Sequence, residues 1–528
     1  MGFERLFENY ENAETPEECK MIGTVPSWLH GTMVRNGPGM FKIGDTDYKH
    51  WFDGMAYIQR YHFEDGKMFY SARYLESDDY KKNMRAHRII CSSFGTIKFP
   101  DPCKTLYARL SSFFTQHKEC IDNCSVAFVT NGDAVYALTE SPCMHRLDVD
   151  TLDSLEKVDF RDSVKLSLHT NTAHLHSDQE GNLYNMGTIM GNSYVFTKTM
   201  NPLHAECASS SHSFDQTEVL ATIPTTDRWA PGYYHSFGIS DNFFILFETP
   251  ERISLLRILK GSLIATSFND CMYWDDSVDV NVILFDRVNK KAFDRKVTSD
   301  PFFTFHHANA YEKDGFLVVD YCKILDPGNL DDLLMEHMRT GAFCSKNSSF
   351  KPLLHRMIIP LSVGADCKPG DDLLKNCSFA GECHAILRDD GSIHCTDTKL
   401  CDIIMEFPRY CYDLNMKDYR YVYGACIIHN EDDKHGVVKA DLKDGTHKVW
   451  YKDNFDQICA EPILVNRPGY SKEDEGVLLV PVVTISEKDV PYVVVLDAET
   501  MEEQGRYIIP QSRIPLGFHS HYVERQTK

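Results

Sequence analysis

No window of this chain approaches the run of about 18 apolar residues that a membrane-spanning helix needs, so no helical span is expected. Basic residues are also in the minority. Against 77 Asp and Glu stand 55 Lys and Arg, a formal net charge of −22, whereas a nucleic-acid partner calls for a basic face that neutralises phosphate. No nucleic acid is expected. The N-terminus lacks an apolar signal segment, so the 18 cysteines are expected to be thiols in a reducing, cytoplasmic compartment and not a disulfide framework. The sequons at Asn123-Cys-Ser, Asn347-Ser-Ser and Asn376-Cys-Ser are then chance matches. Myristoylation is excluded because Leu6 stands where Ser or Thr is required. Gly37 and Gly39 lack the third glycine of a dinucleotide loop: Lys42 occupies its place and no helical pattern follows.

What the chain does have is apolar residues in alternation. Hydrophobic residues make up 43% and charged residues 25% of 528 positions, enough to bury a large core. A unit recurs along it: an alternating run, a polar turn with glycine, and a second run. It is seen at Phe63-Glu-Asp-Gly-Lys-Met-Phe-Tyr70, at Asn131-Gly-Asp-Ala-Val-Tyr, at Gln179-Glu-Gly-Asn-Leu-Tyr, at Lys313-Asp-Gly-Phe-Leu-Val-Val-Asp320, at Asp389-Asp-Gly-Ser-Ile-His and at Asp474-Glu-Gly-Val-Leu-Leu-Val. These are hairpin signals. Strand exits at Leu147-Asp148, Phe285-Asp286, Ala440-Asp441 and Leu496-Asp497 fall between them. Repeated hairpin units over such a length predict an all-β propeller, with a sandwich as the competing architecture. A single domain over 1–528 is expected, led by an N-terminal arm at 1–30. Helical insertions are expected near 103–117, 252–266 and 328–340. The first two interleave Lys104, Arg109, Arg257 and Lys260 with large apolar residues. Packing on the body competes there with a peripheral membrane patch.

Four histidines lie at the edges of apolar runs: His174 in Asn171-Thr-Ala-His-Leu-His, His235 in Gly232-Tyr-Tyr-His-Ser-Phe, His306 in Phe305-His-His-Ala-Asn, and His519 after Ile514-Pro515-Leu516-Gly517-Phe518. Neutral imidazoles from such distant segments could ring a transition metal, for which imidazole suits iron, copper, zinc and nickel. Strand alternation allows only one of His306 and His307 to face a common centre, whereas His174 and His176 share a face and stay unresolved. A ligating imidazole needs its second nitrogen held, usually by a carboxylate. Glu140, Glu406 and Glu461 close or interrupt apolar strands and are candidates, with a solvated strand end as the competing reading. Cys383, His384, His394 and Cys395 are set aside as a zinc site, because closed structural sites space their ligands differently.

The sequence resembles the carotenoid cleavage oxygenase family in its animal branch. The motifs that carry the resemblance run nearly end to end: Arg35-Asn-Gly-Pro-Gly, His50-Trp-Phe-Asp-Gly, Phe99-Pro-Asp-Pro-Cys-Lys104, Thr172-Ala-His-Leu-His, Tyr234-His-Ser-Phe-Gly, Phe305-His-His-Ala-Asn, Glu406-Phe-Pro, Ala460-Glu-Pro-Ile, Glu473-Asp-Glu-Gly and Phe518-His. The resemblance implies a seven-bladed β-propeller with a helical and loop cap. On its axis it implies one Fe(II) held by His174, His235, His306 and His519, with O2 as co-substrate and Glu140, Glu406 and Glu461 as outer partners. It implies that Val126 crowds the metal and that Phe94 and Tyr233 line a substrate tunnel. The implied activity is carotenoid double-bond cleavage to aldehydes, with symmetric cleavage of β-carotene to retinal foremost. Eccentric cleavage, an isomerooxygenase, a retinoid isomerohydrolase and a non-enzymatic carotenoid-binding propeller are the alternatives. Ser93-Phe-Gly and Cys103-Lys-Thr-Leu depart from the family pattern in loops, away from the histidines.

Overall fold

Asp65-Gly66 and Asp314-Gly315 place two consecutive residues in the left-handed region, with φ of 52° and 75° in the first pair and 50° and 83° in the second. This is the geometry a two-residue hairpin requires. The first pair joins Met55–Glu64 to Lys67–Tyr74 and the second joins His307–Lys313 to Phe316–Lys323. The computed structural model describes residues 2–102, 120–189, 193–261, 266–326, 328, 330–345, 347–426 and 434–524.

The architecture is an all-β propeller with few helices. Seven of its sheets have four or more strands. After the first sheet, they begin along the chain with the edge strands Ala127–Asn131, Leu168–Asn171, Gly238–Ile239, His307–Lys313 and Glu406–Arg409. The seventh is built on Gly476–Thr484, Tyr492–Asp497 and Glu503–Ile508.

Both chain ends close the ring. Ser520–Glu524 pairs with Gly31–Arg35 in the first sheet, Arg35 opposite Ser520. The N-terminal segment expected as an arm is divided between two sheets: Ala13–Glu18 edges the first sheet and Lys20–Gly23 edges the seventh. Before it, the short 3₁₀ helix Gly2–Phe7 buries Phe3, Leu6 and Phe7 in the largest apolar cluster. Tying both ends into shared sheets keeps the C-terminal histidine from fraying, because any opening there breaks ladder hydrogen bonds.

The region expected to be helical at 103–117 lies outside the described residues. The other two expected helical regions contain the short helices Leu255–Gly261 and Met335–Thr340. One cysteine expectation is corrected: Cys120 and Cys143 form a disulfide. Their Cα atoms stand 6.0 Å apart, a separation that suits the bond. Fifteen other described cysteines are thiols, most of them buried.

Candidate metal centre

His519 is positioned by backbone contacts that only glycine permits. Gly37 and Gly517 lie back to back, and a Cβ on Gly37 would meet the Gly517 Cα at 2.4 Å. The close approach lets the Phe518 N–H donate to the Asn36 carbonyl at 2.7 Å and the Asn36 N–H to the His519 carbonyl at 2.9 Å. The His519 N–H donates to the Val126 carbonyl of the second sheet at 3.3 Å. His174 and His235 are tied together by Thr172, whose hydroxyl accepts from the His174 N–H at 3.1 Å and donates to the His235 carbonyl at 2.6 Å. The carbonyl of His306 accepts from the Cys322 N–H of the neighbouring strand at 2.9 Å.

These four segments bring the ligand atoms of His174, His235, His306 and His519 within 4.8 Å of one another. The Nε2 atoms of His174 and His235 are 2.8 Å apart, and those of His306 and His519 are 3.1 Å apart. His235, His306 and His519 are buried and His174 is half-buried. The structure separates the neighbours that spacing left open. His176 holds the Phe237 carbonyl at 2.9 Å. His307 points away, bonded to the Ser236 hydroxyl at 2.9 Å and packed on Phe247.

The three glutamates meet three of the four rings. His235 Nδ1 lies 2.5 Å from Glu140 Oε1, His306 Nδ1 lies 2.5 Å from Glu406 Oε2, and His519 Nδ1 lies 2.9 Å from Glu461 Oε1. Glu140 also accepts from the Tyr233 hydroxyl at 3.1 Å. Glu461 accepts from Arg409 Nε at 2.9 Å and from the Ser520 N–H at 2.6 Å. Burial works to raise the Glu461 carboxyl, yet Arg409 and His519 outweigh it and hold it at about 2. Glu406 Oε2 takes the Phe407 N–H at 2.6 Å as well, while its Oε1 is buried with no hydrogen-bond partner.

These contacts fix the chemistry of the ring. An imidazole whose Nδ1–H is held by a carboxylate presents a bare lone pair at Nε2. His306 and His519 therefore aim two acceptors at each other across 3.1 Å with no proton between them. Protonation is opposed: burial pushes His174 well below the ordinary imidazole value, with the other three imidazoles adding to it, and lowers His519. Burial brings His306 to about 4 despite its glutamate. A divalent transition cation resolves four converging neutral lone pairs, and an all-imidazole donor set suits iron, copper, zinc or nickel.

Aromatic rings cover the cluster. Phe305 packs edge-on against His235 at 5.3 Å, and Phe407 lies 5.2 Å from His306 and 4.9 Å from His519. Phe407 holds a φ of 54°, a conformation that costs a non-glycine residue about 1 kcal/mol or more and that recurs at functional sites. Phe52 contacts Phe305 and Phe518 at 6.2 and 5.7 Å. The sequence-predicted Phe94 joins this wall through Phe52 at 5.4 Å and Tyr233 at 6.4 Å. Val126 is half-buried beside His519. Phe52, Phe305, Phe407, Phe518, Thr172 and Arg409 escaped sequence reasoning. The signal for three of them was adjacency, since Phe305, Phe407 and Phe518 each neighbour a marked histidine or glutamate in the chain. His384 is elsewhere, paired with Asp372 at 2.7 Å, and Cys383 donates to the Arg356 carbonyl.

Comparison with known proteins places this geometry in context. Residues 6–524 match the family described as retinal pigment epithelial membrane protein (RPE65). Among curated relatives, the chain is 32% identical over 506 residues to the beta,beta-carotene 15,15'-dioxygenase of Mus musculus, covering 94% of this chain and 88% of that one. It is also 32% identical over 531 residues to the mitochondrial carotenoid-cleaving dioxygenase of Homo sapiens, covering 98% and 90%. Among solved structures, cobalt-substituted Synechocystis ACO superimposes with a TM-score of 0.76 at 20% identity over 99% of this chain and 98% of that one.

Proposed function

We propose, from the premise that this chain belongs to the RPE65 family of carotenoid oxygenases, that it is an Fe(II)-dependent dioxygenase cleaving a carotenoid double bond to aldehyde products. The observation that carries this reading is the ring of four imidazoles, three of them held from behind by Glu140, Glu406 and Glu461. His174, His235, His306 and His519 would hold one iron, and Fe(II) so bound supplies redox chemistry toward O2 that no side chain provides. The residues of the chain do the rest. The glutamates orient the rings and offset the cation's charge through neutral ligands. Phe52, Phe94, Phe305, Phe407 and Phe518 offer an apolar wall on which a polyene lies with water excluded. Tyr233 is fixed between that wall and Glu140, and Val126 restricts the space beside His519. Selectivity then resides in which double bond the wall sets beside the ring.

Symmetric 15,15' cleavage of β-carotene to retinal is the substrate assignment we favour, because relatives named for that reaction cover this chain almost entirely. Identity does not separate it from eccentric cleavage or cleavage with isomerisation, since a relative named only as carotenoid-cleaving stands at the same 32%. The test is incubation of the iron-loaded protein with β-carotene under labelled O2. Labelled retinal supports the assignment. Labelled apocarotenals of unequal length move it to eccentric cleavage, and β-carotene left intact while an all-trans retinyl ester, offered separately without O2, is converted to isomerised retinol and free acid moves it to an isomerohydrolase.

The seven larger sheets are read as seven blades of one domain spanning 1–528. Peripheral membrane contact from the cytoplasmic side fits the helix Leu255–Gly261, where Leu256 and Leu259 are 53% and 54% exposed beside Arg257 and Lys260. No described helix is long and apolar enough to cross a membrane.

A further inference from the structure

Arg35 and Arg356 are both buried, and each stands opposite a polar residue of the neighbouring strand. Arg356 faces Asp320. Its Nε and Nη2 each donate to one carboxylate oxygen at 2.8 Å, and the Tyr419 hydroxyl donates to Asp320 Oδ2 at 2.7 Å, the fork by which a guanidinium grips an anion. Arg35 faces Gln59 instead. Its Nη1 donates to the Pro515 carbonyl at 3.0 Å, while Nε and Nη2, the same edge that Arg356 turns to its aspartate, are buried without a hydrogen bond. Among the described residues Arg35 forms no ion pair. Glu461, the carboxylate whose charge acts on it, is already taken up by Arg409, His519 and the Ser520 N–H.

The orphaned atoms continue along the row. Ser520, Arg35 and Gln59 lie directly opposite one another on three adjacent strands, so their side chains share one face of the first sheet. Arg35 and Gln59 are 0% exposed and Ser520 is 3% exposed. Gln59 Oε1 accepts from the Tyr61 and Tyr70 hydroxyls at 2.7 and 3.4 Å, phenols with no other acceptor among the described residues, and this leaves the amide NH2 without one. The Ser520 hydroxyl is also buried and unpaired. Four of the twelve orphaned buried side-chain atoms among the described residues thus stand in a single cross-strand row. Three of the four are donors only, and the fourth can donate. A guanidinium keeps its proton, and a lone buried cation costs several kcal/mol. The row lacks a negatively charged acceptor, and such orphaned groups mark the place of a bound water or ion.

We propose that the row of Ser520, Arg35 and Gln59 binds a small monovalent inorganic anion of halide size, which takes the part that Asp320 plays beside Arg356. A sphere accepts from every direction, so one ion meets the guanidinium fork, the amide NH2 and the serine hydroxyl together. Tyr61 and Tyr70 are buried with the row, which suits a single sphere and not a polyatomic oxyanion. The anion bridges Ser520–Glu524, Gly31–Arg35 and Met55–Glu64 where the two chain ends close the ring. Through the Arg35 bond to Pro515 it also braces the segment that leads to His519.

The experiment reads anomalous scattering from crystals of the whole protein grown with chloride or with bromide as the only halide. A halide peak beside Arg35 Nε, Gln59 Nε2 and Ser520 Oγ is expected in at least one salt. In solution, chloride is expected to raise the Tm of the wild type by about 2 °C over gluconate, an anion too large for the row, at equal ionic strength. Arg35→Met removes the charge and should lose that response. Because it also cuts the bond to Pro515 and can fail to fold, Gln59→Glu carries the test: it supplies a carboxylate opposite Arg35, as Asp320 does opposite Arg356. Gln59→Glu is expected to melt above the wild type in gluconate and to ignore chloride. Water density without anomalous signal in both salts overturns the inference. So does a Gln59→Glu variant that melts below the wild type in gluconate or keeps the wild-type response to chloride.

Discussion

Two buried clusters in this molecule pair histidine with carboxylate, and they are built inside out with respect to each other. In the fifth sheet Asp397 is central: its Oδ2 accepts from the Tyr321 hydroxyl and from Lys323 Nζ, each at 2.6 Å, and its Oδ1 lies 2.8 Å from His355 Nδ1. Each oxygen faces at least one donor. In the four-histidine cluster the imidazoles are central, carboxylates stand behind three of them, and the Nε2 atoms of His306 and His519 face each other with no donor between them. The first arrangement is satisfied by its own donors, whereas the second leaves facing lone pairs that a cation would accept. Both clusters contain His and a carboxylate, so the direction of the lone pairs, not the presence of these residue types, separates a structural network from a candidate metal centre.

The comparison is broken most severely by removing an axial ring. Alanine at His174, His235, His306 or His519 is expected to abolish bound iron and oxygenase activity together, read by metal analysis and product formation. Alanine at His176 or His307, whose rings face other groups, should keep the iron. Equal iron loss at His306 and His307 would overturn the ligand assignment.

Next in size are the supporting carboxylates, where Gln substitutions should cost about 10 to 100-fold in metal affinity or activity. The three are not equivalent. Glu461 meets His519, Arg409 and the Ser520 N–H on its two oxygens, so an amide NH2 there must oppose a donor. Glu406 carries both donors on Oε2 and leaves Oε1 without a partner, so Gln can turn its NH2 to that side. Glu461→Gln is therefore expected near the upper end of the range and Glu406→Gln near the lower, by iron titration. The reverse order would show that charge and not hydrogen-bond matching governs these positions.

Much of this centre was legible in the chain before any coordinates. Histidines at strand edges and glutamates inside apolar runs are anomalies for a core, and physical rules ask what partners them. The choice between His174 and His176 was not legible, because it assumed one regular strand. The strand ends at Asn171 and resumes at His176, which turns His174 alone toward the axis. The division of residues 13–23 between two sheets was equally hidden. Ala13–Glu18 reads Ala-Glu-Thr-Pro-Glu-Glu, acidic and largely exposed, with no alternation to mark it as a strand. Its pairing partners come from Lys67–Tyr74, and those of Lys20–Gly23 from Glu503–Ile508, sequence separations that no local pattern encodes. The Cys120–Cys143 disulfide was misjudged because thiols were inferred for all cysteines from the expected compartment, which does not reveal which two the fold brings together.

The smallest effects belong to the self-sufficient cluster, and they sharpen the contrast. Asp397→Asn should destabilise the fold while leaving iron content intact. Burial acts to raise the Asp397 carboxyl, but His355, Lys323 and Tyr321 outweigh it and hold it at about 2, below its ordinary value of 3.8. A carboxyl depressed in the folded state stabilises above its unfolded pKa, and that contribution is lost as pH falls through the folded one. The linkage amounts to about 2 kcal/mol at pH 7, and about 1 kcal/mol of it is gone at pH 3. Denaturant unfolding of wild type and Asp397→Asn should therefore differ by about 2 kcal/mol at pH 7 and by visibly less at pH 3. Taking the difference cancels the many other carboxylates that titrate in the same window. A gap that stays constant between the two pH values would mean that Asp397 contributes through packing alone, and the distinction drawn between the two clusters would lose its electrostatic basis.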